Sequence, residues 1–325
     1  MTQVIFKDKT ITLEAGQTVL SALLEHGYDI PHSCQAGACQ TCLMQALSGD
    51  IPVEAQAGLK DTLKAQNYFL ACCCKPTSPM EVALADHDTV LTTATVTEHT
   101  LLCTDVLRLR LKPDAPFSYH TGQYVTLWKD DNTARSYSLA SVPALDDELE
   151  LHIRRIPGGK VSTWLHDEIK TGDSVQIQDA SGDCFYMPGT PEKKLLLAGT
   201  GTGLAPLIGI ARDALQQGHK GEIHLIHGVK QAHDLYLHQT LMQMADAHSQ
   251  FFYHASVLEK GDLPAMATNT PMAELTMQIT GVPAEWNIFL CGDVNIVNTL
   301  KMKLFLAGAS MDNIYTDPFI PAADG

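Results

Sequence analysis

Four cysteines, Cys34, Cys39, Cys42 and Cys72, follow the spacing C-x4-C-x2-C with a fourth thiol thirty residues further on. Thiols that recur so closely and then once more at a distance can converge only if the chain folds back on itself, so the amino-terminal part must form a compact body around a metal centre. The loop Pro31-His32-Ser33-Cys34-Gln35-Ala36-Gly37-Ala38-Cys39-Gln40-Thr41-Cys42 is rich in small residues. Its backbone can wrap tightly and turn amide N–H groups toward sulfur. A structural zinc ion also takes four cysteines, but as two short C-x2-C knuckles, and here only Cys39 to Cys42 makes one. The paired Cys and His elements of a Rieske centre are absent from the sequence. One tight loop plus one distant thiolate instead suits a binuclear iron–sulfur cluster, with zinc as the alternative.

This cysteine pattern resembles that of the plant-type [2Fe-2S] ferredoxins. The resemblance implies a β-grasp fold for the first domain and favours Cys72 as the fourth ligand, although the run Cys72-Cys73-Cys74 leaves Cys73 open. The remaining adjacent thiols are read as core or spectator groups.

With 325 residues, 45% of them apolar, the chain has room for two or three domains with real cores. Its nine cysteines are an odd number, six of them within the first 74 residues, which argues against a disulfide framework and for a reducing compartment. No 18-residue apolar run and no basic start followed by an apolar core are present, so a cytoplasmic protein is expected. A net charge of -15 disfavours nucleic acid and anionic membranes as partners. Residues 1 to 90 carry 5 Lys, no Arg and 10 Asp or Glu. Such an acidic segment suits a basic protein partner and serves equally as solubilising charge.

Along the chain, Val4 to Phe6 and Thr10 to Leu13 read as a hairpin, Thr18 to His26 as a helix stopped by Gly27, and Leu43 to Leu47 and Tyr68 to Ala71 as strands. Pro76-Thr77-Ser78-Pro79 reads as the exit from this domain, and Ala85 to Asp88 as a polar linker. Short strands then follow at Thr93 to Glu98, Val106 to Leu111, Gln123 to Trp128, Ser136 to Leu139, Leu149 to Ile153 and Ser174 to Ile177, which predict an antiparallel barrel. After Pro191 the pattern changes to alternating strands and helices: strands at Leu195 to Ala198, Ile223 to Val229, Phe252 to Val257 and Asn287 to Cys291, helices at Pro206 to Gln217 and Ile296 to Leu306. That alternation predicts a parallel sheet. The expected domains are residues 1–88, 89–190 and 191–325.

Three motifs lie on these elements. Arg135-Ser136-Tyr137-Ser138 matches the R-x-Y-[ST] motif of the ferredoxin-NADP reductase family, and Gly158-Gly159-Lys160-Val161-Ser162 resembles its second flavin motif. A flavin needs an aromatic ring to stack on, a guanidinium for its phosphate and a hydroxyl near its reactive N5. In the resemblance these are Tyr137, Arg135 and Ser138. Gly159 to Ser162 would open a helix over Thr163 to His166 and offer N–H donors to the phosphates. The third motif, Gly199-Thr200-Gly201-Thr202-Gly203-Leu204-Ala205-Pro206, joins an apolar strand to a helix, the setting for a dinucleotide pyrophosphate. Cys291-Gly292-Asp293 follows the last of the apolar strands, where the family keeps a C-G-x-P segment beside the nicotinamide. Val294 replaces the proline. Taken alone, Cys291 is more often a buried core thiol than a catalytic one.

Over nearly its whole length the chain resembles the reductase components of multicomponent oxygenases, such as the benzoate dioxygenase and soluble methane monooxygenase reductases. The resemblance implies a multidomain α+β and α/β protein: β-grasp ferredoxin, antiparallel flavin-binding β-barrel, parallel-sheet nicotinamide-binding domain. It further implies FAD and a [2Fe-2S] cluster, hydride transfer aided by Ser138 and Cys291, and a monomer that passes electrons to a partner protein. Deoxysugar dehydratase reductases, similar to the CDP-6-deoxyglucoseen reductases, share the domain order, and a redox-sensing interaction module is the reading from another class. After Val229, Lys230-Gln231-Ala232-His233-Asp234 lacks the arginine with which NADP-specific members grip a 2′-phosphate. NADH is therefore favoured over NADPH. Tyr315-Thr316-Asp317-Pro318-Phe319 resembles endings that place an aromatic residue, here Phe319, near the flavin, with a packed terminal aromatic as the alternative.

Overall fold

The computed structural model describes residues 2–37, 40–85 and 91–320. Cys39 and the linker residues Asp86, His87 and Asp88 lie outside the described residues. The chain divides into two compact units, Met1–Thr89 and Val90–Gly325.

In the first unit, β1 (Thr2–Phe6) and β2 (Lys9–Leu13) form an antiparallel hairpin. Its two turn residues, Lys7 and Asp8, both have positive φ, 49° and 60°, the turn geometry that matches strand twist. Helix α1 (Val19–Glu25) starts where Thr18 accepts a hydrogen bond from the Ser21 amide at 3.1 Å, a cap contributing about 1 kcal/mol. It buries Val19, Leu20, Ala22 and Leu23. Strand β3 (Leu43–Ser48), helix α2 (Asp61–Ala65), β4 (Tyr68–Leu70) and β5 (Met80–Leu84) complete a mixed sheet in the order β2-β1-β5-β3-β4. Pro76–Pro79, which read as an exit inside the expected domain 1–88, lead directly into β5, the central strand, parallel to β1 and antiparallel to β3. Prolines that resemble an exit deliver the chain back into the sheet.

The second unit opens with six antiparallel strands, β6 (Leu91–Cys103), β7 (Val106–Pro113), β8 (Tyr124–Asp130), β9 (Thr133–Ser138), β10 (Leu149–Arg154) and β11 (Ser174–Gln178), ordered β10-β7-β6-β11-β8-β9. A bridge between Leu139 and Leu151 brings the two edges together. Alternate residues such as Leu107, Leu109, Leu111, Val125, Leu127 and Leu151 point into one buried core. Helix α3 (Lys160–Asp167) packs Val161 and Leu165 against it.

Six parallel strands follow, β12 (Lys194–Thr200), β13 (Ile223–Val229), β14 (Phe251–Val257), β15 (Ala267–Thr268), β16 (Trp286–Asp293) and β17 (Ile314–Phe319), in the order β15-β14-β13-β12-β16-β17. Helices α4 (Leu204–Gln216), α5 (His238–Ala247), α6 (Met272–Thr280) and α7 (Val294–Leu306) connect them. Neighbours β12 and β13 are buried almost throughout, as strands covered on both faces must be. The order doubles back at β12, so the ends of β12 and β16 border the crevice where such sheets bind ligands. No helix among the described residues is long and apolar enough to cross a membrane.

Candidate functional site

The cysteine loop is held from below by β4 and the turn after it. The Ala71 amide donates to the Cys42 carbonyl at 3.0 Å, and Cys73 and Cys74 amides donate to Leu70 at 2.9 and 3.1 Å. This brings Cys72 to Cys42, whose side chains are hydrogen-bonded to each other, and the Gly37 amide donates to Cys72 sulfur. The Ala36 amide points at Cys34 Sγ at 3.4 Å. Burial pushes the Cys42 thiol up to about 11; a cation's charge is what would release that proton. Backbone amides aimed at sulfur and two adjoining thiols fit an iron–sulfur cluster. Among the described residues, which exclude Cys39, no three such side chains gather tightly enough to hold a metal ion by themselves. Cys73 Sγ lies 3.7 Å from Cys72 Sγ. Cys74 is fully buried against Met80 sulfur at 3.9 Å, a core thiol.

On the barrel, β9 carries the R-x-Y-S residues. The Tyr137 side chain packs against the barrel core, and its hydroxyl is buried without a hydrogen-bond partner among the described residues. Burial also raises its pKa. An oriented phenol with an unsatisfied hydroxyl fits a polar, planar ligand such as FAD. Arg135 donates through Nη2 to the Ile320 carbonyl, and Ser136 Oγ pairs with Thr126 Oγ1 at 2.9 Å. Helix α3 begins at Lys160, three residues before the expected Thr163. Its first turn borders a groove of about 480 Å³ lined by Arg155, Gly158, Gly159, Lys160, Thr163 and Trp164. The Ser162 hydroxyl is not turned to this groove's donors; it accepts from the Ile156 amide at 3.2 Å and shapes the turn.

The two loops of the nucleotide domain interlock. Gly199 and Thr200 end β12, Gly201–Gly203 form a single tight turn, and α4 starts at Leu204, with Pro206 in its first turn, where no N–H is required. A Cβ on Gly203 would lie 2.4 Å from the Cys291 carbonyl oxygen. Gly292, at φ +111°, would place one 2.4 Å from Thr200 Oγ1. Each loop therefore has room for the other only because both residues lack a side chain. Thr200 Oγ1 accepts from the Asp293 amide at 2.8 Å. Asp293 in turn caps α7, accepting from Asn295 and Ile296 amides at 2.9 and 3.1 Å. With that cap in place Val294 occupies the first helical position, where the proline would have stood, and the turn is kept.

Cys291 itself is fully buried, its sulfur 3.8 Å from Cys184 Sγ, and burial first and then Cys184 push its thiol well up. Beside it in the β16/β17 register stands Asp317, one position before the Gly292–Pro318 pair. Asp317 accepts a 2.6 Å hydrogen bond from Ser138 Oγ. Burial raises its carboxyl to about 6, with the charge of Asp183 adding and the Ser138 hydroxyl opposing. Sequence reasoning passed over Asp317 because a single carboxylate between two aromatic positions carries no motif. Phe319 ends β17, partly buried and opposite Asp293. Ser138 from the barrel and Asp317 from the nucleotide sheet thus meet above Cys291 and Gly292.

Residues 4–77 match the 2Fe-2S iron-sulfur cluster binding domain, 93–186 the oxidoreductase FAD-binding domain and 197–301 the oxidoreductase NAD-binding domain. The aromatic O-demethylase reductase subunit of Amycolatopsis sp. is 35% identical over 332 residues, 97% of each chain. The ferredoxin–NAD(P)(+) reductase component of the naphthalene 1,2-dioxygenase system of Pseudomonas putida is 30% identical over 324 residues, again 97% of each. The chain belongs to the reductase components of multicomponent oxygenases. The crystal structure of Amycolatopsis cytochrome P450 reductase GcoB matches with a TM-score of 0.69 at 32% identity, covering 99% of this chain and 100% of that one. This reductase is an iron–sulfur flavoprotein that takes electrons from NAD(P)H, with a [2Fe-2S] cluster and FAD as its cofactors.

Proposed function

We propose that this reductase oxidises NADH and delivers the electrons singly to the oxygenase component of a multicomponent system in the cytoplasm, acting as a monomer built of domains 1–88, 89–190 and 191–325. The observation that carries the reading is the meeting of Ser138 and Asp317 at 2.6 Å over the interlocked Gly203 and Gly292 loops, where a barrel-bound flavin and a sheet-bound nicotinamide would share one face. Bound FAD supplies the conversion of a hydride pair into single electrons, and the cluster supplies a one-electron carrier.

The chain's own residues do the rest. Cys34, Cys39, Cys42 and Cys72 hold the cluster. Tyr137 presents a ring and a hydroxyl to FAD, Arg135 and the amides of Gly159 to Ser162 receive its phosphates, and Ser138 fixes the polarity at the reacting edge through Asp317. Gly199 to Gly203 accept the dinucleotide pyrophosphate, and Gly292 lets its nicotinamide approach. Relatives named for a naphthalene dioxygenase, a terephthalate dioxygenase and a phenol hydroxylase support an oxygenase as the acceptor.

The preference for NADH is supported by the charges beyond β13. Lys230 is 3.5 Å from Glu259, and Gln231 donates to the same carboxylate at 2.7 Å. Asp234 accepts from the Gln231 amide at 3.2 Å. The lysine's charge is thereby already matched, and an added 2′-phosphate would face two carboxylates. Anaerobic reduction of the bound flavin by NADH and by NADPH tests this: about a tenfold higher kcat/KM for NADH is expected, and equal values would refute it.

A further inference from the structure

We propose that His227 is a positioning residue for nucleotide binding: its imidazole holds the Gly201 carbonyl from beneath and so turns the Thr202 amide N–H outward to the dinucleotide pyrophosphate. The inference rests on the proposed pyrophosphate role of Gly199 to Gly203.

His227 lies on β13, the neighbour of β12, and is wholly buried. Its Nε2 is 3.0 Å from the Gly201 oxygen. A carbonyl can only accept, so Nε2 carries the proton. Burial holds the ring's pKa down to about 3, with nearby Arg154 opposing a second proton as well, so the ring is neutral at every working pH. The C=O and N–H of one planar peptide point in opposite directions. The Gly201 oxygen also accepts from the Leu204 amide that closes the turn, and the His227 contact adds a second hold on it that fixes the Thr202 N–H away from the imidazole.

The ring is itself held. Tyr236 packs edge-on to it, 5.4 Å between centroids at 80°, and is also edge-on to His152 at 5.3 Å and 89°. Burial keeps the Tyr236 hydroxyl protonated; it donates to His152 Nδ1 at 3.3 Å, and His152 Nε2 donates to Glu150 at 3.0 Å. This one-way run of donors begins at Tyr236, in the connection between β13 and α5, and ends on barrel strand β10. The nucleotide loop is thereby braced against the flavin-binding barrel, an arrangement that hydride transfer between ligands of the two would use. Nδ1 of His227 has no partner among the described residues. A hydrocarbon of the same size would leave no such orphan, so the Nε2 contact is what the imidazole adds.

The test compares two isosteric variants of the holoenzyme, His227→Gln, which keeps a donor at the Nε2 position, and His227→Met, which does not. His227→Met is expected to raise the Kd for NAD+ and the KM for NADH by about tenfold and leave kcat within about twofold. FAD and iron content should be unchanged, and His227→Gln should stay within about threefold of wild type in every constant. Equal behaviour of the two variants overturns the proposal. Gly203→Ala serves as the control: if it too leaves NAD+ binding intact, the pyrophosphate reading of the loop fails, whereas if it abolishes binding while His227→Met does not, only the role of His227 fails. Should His227→Met lose its FAD or fail to fold, 15N spectra of histidine-labelled wild-type protein decide. A neutral Nε2–H tautomer that does not titrate between about pH 5 and 8 is expected, and a titrating ring or an Nδ1–H tautomer overturns the proposal.

Discussion

Ser138 Oγ donates to Asp317 Oδ2 across 2.6 Å, joining the last residue of a barrel strand to the last strand of the nucleotide sheet. Burial makes Asp317 hold its proton up to about pH 6, above the usual 3.8. The folded state therefore binds this proton more tightly than the unfolded chain does. Its stabilising effect is complete below pH 3.8 and is lost as the pH rises through about 6. Asp317→Asn should flatten the pH dependence of the unfolding midpoint between those values; an unchanged slope would contradict the assignment.

The same pair should act as a unit in flavin reduction. Asp317→Ala and Ser138→Ala are each expected to slow single-turnover reduction by NADH about tenfold at pH 8, the worth of one charge-assisted hydrogen bond. The double variant should be little slower than either alone. Additive losses would show that the two side chains work separately.

A comparison of neighbours favours Cys72 over Cys73 as the fourth cluster ligand. Cys72 meets both Cys42 and the Gly37 amide, whereas Cys73, among the described residues of the loop, lies beside Cys72 and Gly37. Cys72→Ser should lose most of its iron and visible cluster absorbance on anaerobic purification, and Cys73→Ser should keep both. The reverse outcome would move the ligand by one residue.

Nucleotide choice should follow charge at Glu259. Glu259→Lys removes the carboxylate beside Lys230 and adds a second cation. A phosphate at about 4 Å in water gains about 1 kcal/mol per charge, so the ratio of kcat/KM for NADPH over NADH should rise at least about tenfold. An unmoved ratio would place the 2′ position elsewhere.

Gly203→Ala puts a methyl 2.4 Å from the Cys291 carbonyl, backbone that cannot move aside. Overpacking of this kind costs about 1–3 kcal/mol. The KM for NADH should rise more than about tenfold with FAD retained, measured by steady-state kinetics beside flavin content.

The parts of this fold that were legible are those whose signal is local. Val19, Leu20 and Leu23 announce α1, alternation announces the barrel strands, and the apolar runs announce β12, β13 and β16. Helix α6 was hidden because its buried face is Met272, Thr276 and Thr280, and the threonines satisfy themselves by donating to carbonyls four residues back at 2.7 and 2.6 Å. A polar residue that bonds its own helix packs as an apolar one, which periodicity does not register. Strand β5 was hidden by the prolines before it, and β17 by Pro318 within an edge strand. Asp317, His227 and Glu259 were missed for a common reason: each owes its place to a partner far away in sequence, Ser138, Gly201 and Lys230.

The most direct test of the account follows NADH through Cys34→Ser under anaerobic conditions. The variant should bleach its flavin within about twofold of the wild-type rate and fail to reduce cytochrome c, a one-electron acceptor. A variant that lost its iron yet reduced cytochrome c at the wild-type rate would contradict the passage of electrons from flavin to cluster to acceptor.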